Sequence, residues 1–278
     1  MIKSIEFGKQ EFKDKKDLFL ALKENKELII SNKKATKTKS SPIDGVYNTV
    51  DSVTKGIKGL EKGFIYPVIN TTGYMDSHND VHIKGIWNKS VKEKQNKIHY
   101  TTDHELKVTN IIAYPKDVEL MLKDVSWQSL GYNKEGETQA LIFKTNVFGY
   151  SNPQATKIVN EKIDIQHSVR MEYVKMELCV NSDDKEFKEE KKGFDKYIEQ
   201  VTNKDNALEK GYFWAVTEAK ISEEGSMVVR GSNDITPMNY GTEPSEDTQK
   251  AEDEPSKDIQ KSAIEDFYLG MYKWMLNK

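Results

Sequence analysis

Apolar residues fall into short runs along this chain, and the spacing within the runs changes from one to the next. In "DKKDLFLALKEN", residues 14–25, Leu18, Phe19 and Leu22 share one side of a helix, and the "ELII" that follows is strand-like. Residues 32–45, "NKKATKTKSSPIDG", are basic, rich in Ser and Thr and poor in apolar side chains. They read as a connector, which makes residues 1–45 a small N-terminal element with its linker and starts the main domain at 46. From "FIYPVINTTGYM" through "QALIFKTNVFGY" to "HSVRMEYVKMELCV", β-branched and aromatic runs alternate with turn residues and predict strands, with "KDVELMLKDV" and "NPQATKIVNEKI" as intervening helices. Over residues 181–210 the chain is heavily charged, but Phe194, Ile198 and Val201 recur at helical spacing, so this stretch predicts an amphipathic helical insertion ahead of the strand "GYFWAVTEAKI". After "NYG" the folded domain is expected to end at 241. Residues 242–258, "TEPSEDTQKAEDEPSKD", are acidic and lack apolar residues, as a disordered linker does, and 259–278 regain a helical stripe through Ile264, Phe267, Met271 and Trp274. The pattern is that of a mixed α and β protein without internal repeats.

Composition narrows the class. With 278 residues the chain is long enough to bury a substantial core, and 31% charged residues against 36% hydrophobic ones imply a well-solvated surface. A formal net charge of −3 gives no general attraction to nucleic acid or to an anionic membrane. The single cysteine, Cys179, excludes an internal disulfide framework and any multi-cysteine metal cluster; it reads as a buried apolar filler in a reducing compartment such as a cytoplasm. No run approaches the roughly 20 apolar residues of a membrane-spanning helix, and "MIKSIEFGKQEFKDKK" has no signal-peptide core.

Four stretches carry candidate chemistry. In "TTGYMDSHNDVHIKGIWNKS", residues 71–90, Asp76, His78, Asp80 and His82 alternate, so a strand would turn all four to one face as oxygen and nitrogen ligands. The same residues are turn formers that bond their own backbone, and that reading is preferred to a metal site. No glycine-rich phosphate loop occurs anywhere. "KIHYTTDHELKVTNIIAYP" places His104 in a polar turn between strand-like runs, "KIDIQHSVRMEYVKMEL" opens a strand at Ser168, and "WAVTEAKISEEGSMVVRGSND" interrupts one with Glu223, Glu224 and Gly225.

In this order the four stretches resemble, block by block over residues 66–235, the phage prohead (capsid maturation) serine protease family, which is related to the herpesvirus assemblins. The first stretch is similar to the family's opening structural segment, with Asp76 and Asp80 shaping a turn and Gly85 allowing a bend. Carried over by position, the resemblance implies His104 as general base, Ser168 as nucleophile and Glu224 as the group that orients the histidine. Glu224 is chosen over Glu223 and Glu218 because it alone gives the Glu-x-Ser spacing, with Ser226. Backbone N–H groups near Arg230 and Gly231 are the candidate oxyanion donors. The chain departs from the family pattern in having Glu105 after His104, Val-Arg-Met after Ser168, and no proline within Gly231 to Asp234.

The resemblance further implies a mostly antiparallel β-barrel ringed by helices, needing neither metal nor organic cofactor. Its expected task is to cut scaffold and major capsid protein segments, and itself, inside an immature procapsid in the host cytoplasm, as a homodimer acting without nucleic acid or membrane. The competing expectation is a non-catalytic structural or scaffolding protein that keeps the same fold.

Overall fold

The computed structural model describes residues 1–35, 57, 59–229 and 238–240. They fall in a compact unit spanning Met1–Thr242. A second unit, Glu243–Lys278, lies outside the described residues, as do the connector from residue 36 on, the acidic stretch and the expected terminal helix.

The chain begins with a two-stranded antiparallel ribbon, β1 (Ile2–Lys3) and β2 (Glu11–Phe12), followed by helices α1 (Lys15–Glu24) and α2 (Lys26–Ala35). The Asp14 carboxylate accepts from the Asp17 amide and caps α1, which buries Leu18, Phe19 and Leu22 as its spacing predicts. Residues 27–30, "ELII", are helical instead of extended. Asn25 closes α1 through its amide and side chain to the Ala21 carbonyl, and the next turn brings Ile29 and Ile30 into one cluster with Phe12, Leu18 and Leu22. Burial against a neighbouring helix outweighs the β preference of two isoleucines. Leu178 and Val180 of strand β9 and Tyr212 and Trp214 of β10, both described below, complete that cluster, so the N-terminal helices share a core with the central strands.

The body consists of two sheets. One is antiparallel, with β7 (Glu119–Ser126) at one edge, then β8 (Glu137–Lys144), β3 (Ile65–Thr71) and β11 (Met238–Tyr240). "KDVELMLKDV" thus forms most of strand β7 and not a helix, because it pairs with β8 residue for residue from Glu119–Lys144 to Ser126–Glu137. The apolar spacing of this run fits a helix as well as a strand, and only pairing with the next strand decides between them. The other sheet is organised by β10 (Tyr212–Val228), which pairs antiparallel with β9 (Gln166–Val180) along its length. Its opposite side is shared by two short parallel strands, β4 (Asp80–His82) at the start and β5 (His99–Thr102) near the end, and β6 (Ile111–Ala113) joins β5. Ile69, Leu141 and Phe143 from the first sheet pack with Tyr100, Val169, Met171, Val216 and Ile221 from the second, so the sheets stack face to face. Among the described residues neither sheet closes into a barrel; the expected barrel is replaced by two open, stacked sheets in a mixed α+β fold.

Helices α3 (Asn88–Lys94) and α4 (Pro153–Asn160) lie between strands, and α5 (Lys188–Tyr197) and α6 (Lys204–Lys210) form the insertion between β9 and β10. Phe194 and Val201 are buried there, with Ile198 packed beside them. Cys179 is fully buried in the same cluster, and burial raises its thiol far above the ordinary value. No helix of the described residues is long and apolar enough to cross a membrane.

Candidate active site

The site lies on the face of the β9–β10–β5 sheet that points away from the other sheet, and strand periodicity decides what stands on it. In β10 the sequence Glu224-Gly225-Ser226 turns Glu224 and Ser226 to this face and Gly225 toward the core. There a Cβ would stand 2.6 Å from Phe143 Cε2 and 3.0 Å from Ile69 Cγ2, so only glycine fits without displacement. Between Ile221 and Gly225, β10 advances four residues while β9 advances two, from Met171 to Val169; this bulge sets the phase of the Glu-Gly-Ser run.

Ser226 is directly opposite Ser168 on β9 and Thr101 on β5. Opposed residues share a face, so Thr101, Ser226 and Ser168 form a row across three strands. Arg170, two residues beyond Ser168, stands on that face as well, while His167, Val169 and Met171 are buried on the other side.

His104 reaches the row by a sharp turn. Asp103 and His104 both have positive φ, 54° and 56°, which is costly for residues with a Cβ and is held here by specific bonds. The Asp103 amide donates to the Met227 carbonyl, and the His104 amide donates to Ser226 Oγ at 3.0 Å. The imidazole then lies with Nδ1 2.8 Å from Glu224 Oε1, in a contact where Glu224 has no exposed surface and His104 is 8% exposed. The remaining partners of Glu224 are Arg170 Nε at 3.1 Å on Oε1, and on Oε2 the hydroxyls of Ser226 at 2.7 Å and Thr101 at 3.4 Å. All of these are donors, so Nδ1 of His104 carries a proton, and in the neutral imidazole Nε2 is the atom with the basic lone pair. Nε2 is buried and makes no hydrogen bond. Arg170 also donates from Nη2 to the His104 carbonyl at 2.5 Å.

Of the sequence-predicted residues, His104 and Glu224 are therefore in direct contact, and Ser168 is half-buried on the same face, one strand from Ser226. Glu218 pairs with Lys175 and Lys89 instead, and Glu223 is half exposed with its carboxylate 3.7 Å from Arg170. Arg230 and Gly231, the expected oxyanion donors, lie outside the described residues. Sequence reasoning passed over Arg170 and Thr101, although the alternation of "HSVRMEY" already put Arg170 in phase with Ser168.

The opening stretch is a turn and a buried network. Asp76 Oδ1 accepts from the amides of His78 and Asp80, at 2.8 and 2.9 Å, and Gly85 has φ +94°. Asp80 is not only a turn residue: Lys33 Nζ of α2 is 2.5 Å from its Oδ1 and the Tyr173 hydroxyl 3.1 Å from its Oδ2. Burial pushes Asp80 up to about 7, against the opposing pull of Lys33. His82 Nδ1 is 3.0 Å from Asn70 Oδ1 and Nε2 is 3.2 Å from the Tyr173 hydroxyl, and burial pushes its imidazole down to about 4. No group of side chains that could hold a metal ion occurs among the described residues.

No protein-family model, curated protein or solved structure matches the chain.

Proposed function

We propose that this protein is a serine endopeptidase of the prohead maturation type, with Ser168 as nucleophile, His104 as general base and Glu224 as its orienting carboxylate. The observation that carries the reading is the buried 2.8 Å contact between His104 Nδ1 and Glu224, which leaves Nε2 without a partner, while Ser168 stands on the same sheet face as Glu224 with its hydroxyl not bonded to Nε2. A serine hydroxyl is a weak nucleophile at neutral pH. His104 Nε2 takes its proton as Oγ attacks the peptide carbonyl, and the imidazolium then protonates the leaving amine. Water, deprotonated by the same nitrogen, releases the acyl group from Ser168. Glu224 keeps the proton on Nδ1 and stabilises the imidazolium during each transfer.

The order of the four sequence blocks supports the phage setting. Scaffold and major capsid protein segments are then the substrates, self-cleavage occurs, and the enzyme acts as a homodimer inside the procapsid, in the host cytoplasm. The stacked sheets would be this chain's version of the assemblin-like arrangement. The deciding experiment is fluorophosphonate labelling followed by peptide mapping. Labelling at Ser168, lost in Ser168→Ala and in His104→Ala, is the expected result. An unlabelled chain would favour the non-catalytic scaffolding protein.

A further inference from the structure

Arg170 is bound into the acid–base pair from two sides. Its guanidinium gives Nε to Glu224 Oε1 at 3.1 Å and Nη2 to the His104 carbonyl at 2.5 Å, while Nη1 is 3.7 Å from Glu223 Oε2. One rigid, planar group thus spans the carboxylate and the backbone of the histidine that the carboxylate orients. We infer that Arg170 is a positioning residue that keeps His104 aimed as a base; the inference rests on the serine protease reading above.

His104 sits at a positive φ of 56°. Its amide is tied to Ser226 Oγ and its carbonyl to Arg170, so the strained residue is pinned at both ends. Releasing the carbonyl would let the imidazole swing off Glu224. Glu224 has no exposed surface, and a buried carboxylate without a cation draws a proton to any neighbouring base. Among the described residues Arg170 is the only lysine or arginine paired with Glu224. The other charged groups around His104 are Glu223 behind Arg170 and, on the histidine's own loop, the exposed Asp103 and Glu105, the latter paired with Lys107. None of these supplies a positive charge to Glu224. Removing the Arg170 charge favours the imidazolium beside a buried carboxylate, and an imidazolium cannot accept the Ser168 proton.

The test uses the full chain and the rate of fluorophosphonate labelling at Ser168, measured across pH for wild type, Arg170→Gln and Arg170→Lys, with thermal melting of each. Arg170→Gln should label about tenfold or more slowly at neutral pH, and raising the pH by about one unit or more should restore much of the rate. Arg170→Lys keeps the charge but not the two-point contact, so its pH profile should stay near that of wild type while its maximal rate falls. A purely packing role would lower folded protein in both variants and shift neither profile. Profiles for both variants that superimpose on wild type, with rates within about twofold, would overturn the inference. So would an unshifted, full-rate Arg170→Lys if Arg170→Gln fails to fold. A wild-type chain that is not labelled at Ser168 would overturn the protease reading, and this inference with it.

Discussion

At Glu224 four donors converge on one buried carboxylate: an imidazole, a guanidinium and two hydroxyls. Removing the base or the nucleophile should therefore differ in kind from trimming what surrounds them. Ser168→Ala and His104→Ala should each lower peptide cleavage by about five orders of magnitude with the fold retained, because nucleophile and base act as one unit. Glu224→Gln should cost about a hundredfold less than that; wild-type cleavage by Ser168→Ala would show the nucleophile to be misassigned. Ser226→Ala acts through structure. It strands the His104 amide in a buried site and leaves Glu224 Oε2 with only the more distant Thr101 hydroxyl, and urea unfolding should report a loss of about 1–3 kcal/mol.

A second residue-scale prediction concerns pH and lies away from the catalytic row. His82 is held near 4 in the fold against an ordinary value of 6.5, so between these limits the unfolded chain binds the extra proton. Its contribution is fully present above pH 6.5 and is lost as the pH falls toward 4, amounting to about 3 kcal/mol in all. Asp80 runs the other way: raised to about 7 from 3.8, its contribution is present below 3.8 and lost as the pH rises through 7. The difference between wild type and His82→Gln isolates the histidine. The variant's unfolding free energy should fall less steeply on acidification from pH 6.5 to 4, and parallel curves would exclude His82 as the acid-sensitive group.

At the scale of elements, β10 decides most of the outcome. Gly225→Ala drives a methyl into Phe143, which has no exposed surface, and should destabilise the protein by about 1–3 kcal/mol or more while tilting the Glu224–Ser226 face. A variant with unchanged stability and activity would show that the two sheets can part at little cost. Long strands with clear alternation were legible in the sequence: "HSVRMEYVKMELCV" and "GYFWAVTEAKI" are β9 and β10. What was illegible depends on partners outside the run itself. Isoleucines in "ELII" become helical because α1 and the central strands cover them, and "KDVELMLKDV" becomes β7 because β8 pairs with it. Within the site, the Glu-x-Ser spacing singled out Glu224 over two neighbouring glutamates. The paired positive φ angles of Asp103 and His104 carry only a weak marker: Asp and His visit that region more often than other residues with a Cβ, but far more of them stand elsewhere.

At the scale of the whole molecule, every described residue of the site belongs to the unit Met1–Thr242. A chain ending at Thr242 should label and cleave a peptide like the full chain yet enter procapsids poorly, if residues 259–278 serve as a docking helix. Loss of peptide cleavage would place those residues in the catalytic fold, and normal incorporation would remove their docking role. Chelators should leave both chains unaffected.

The position of β10 in the chain also sets a schedule. His104 and Ser168 are made first, and Glu224, separated from His104 by 120 residues, arrives on the last long strand among the described residues. Until that strand has slotted between β9 and β5, the histidine has no carboxylate partner and its turn lacks the Ser226 and Met227 anchors. If the chain is the hydrolase proposed above, it is silent on the ribosome until β10, Tyr212–Val228, has emerged. For that hydrolase, strand order alone would delay competence until β10 is in place and so spare nascent copies from one another.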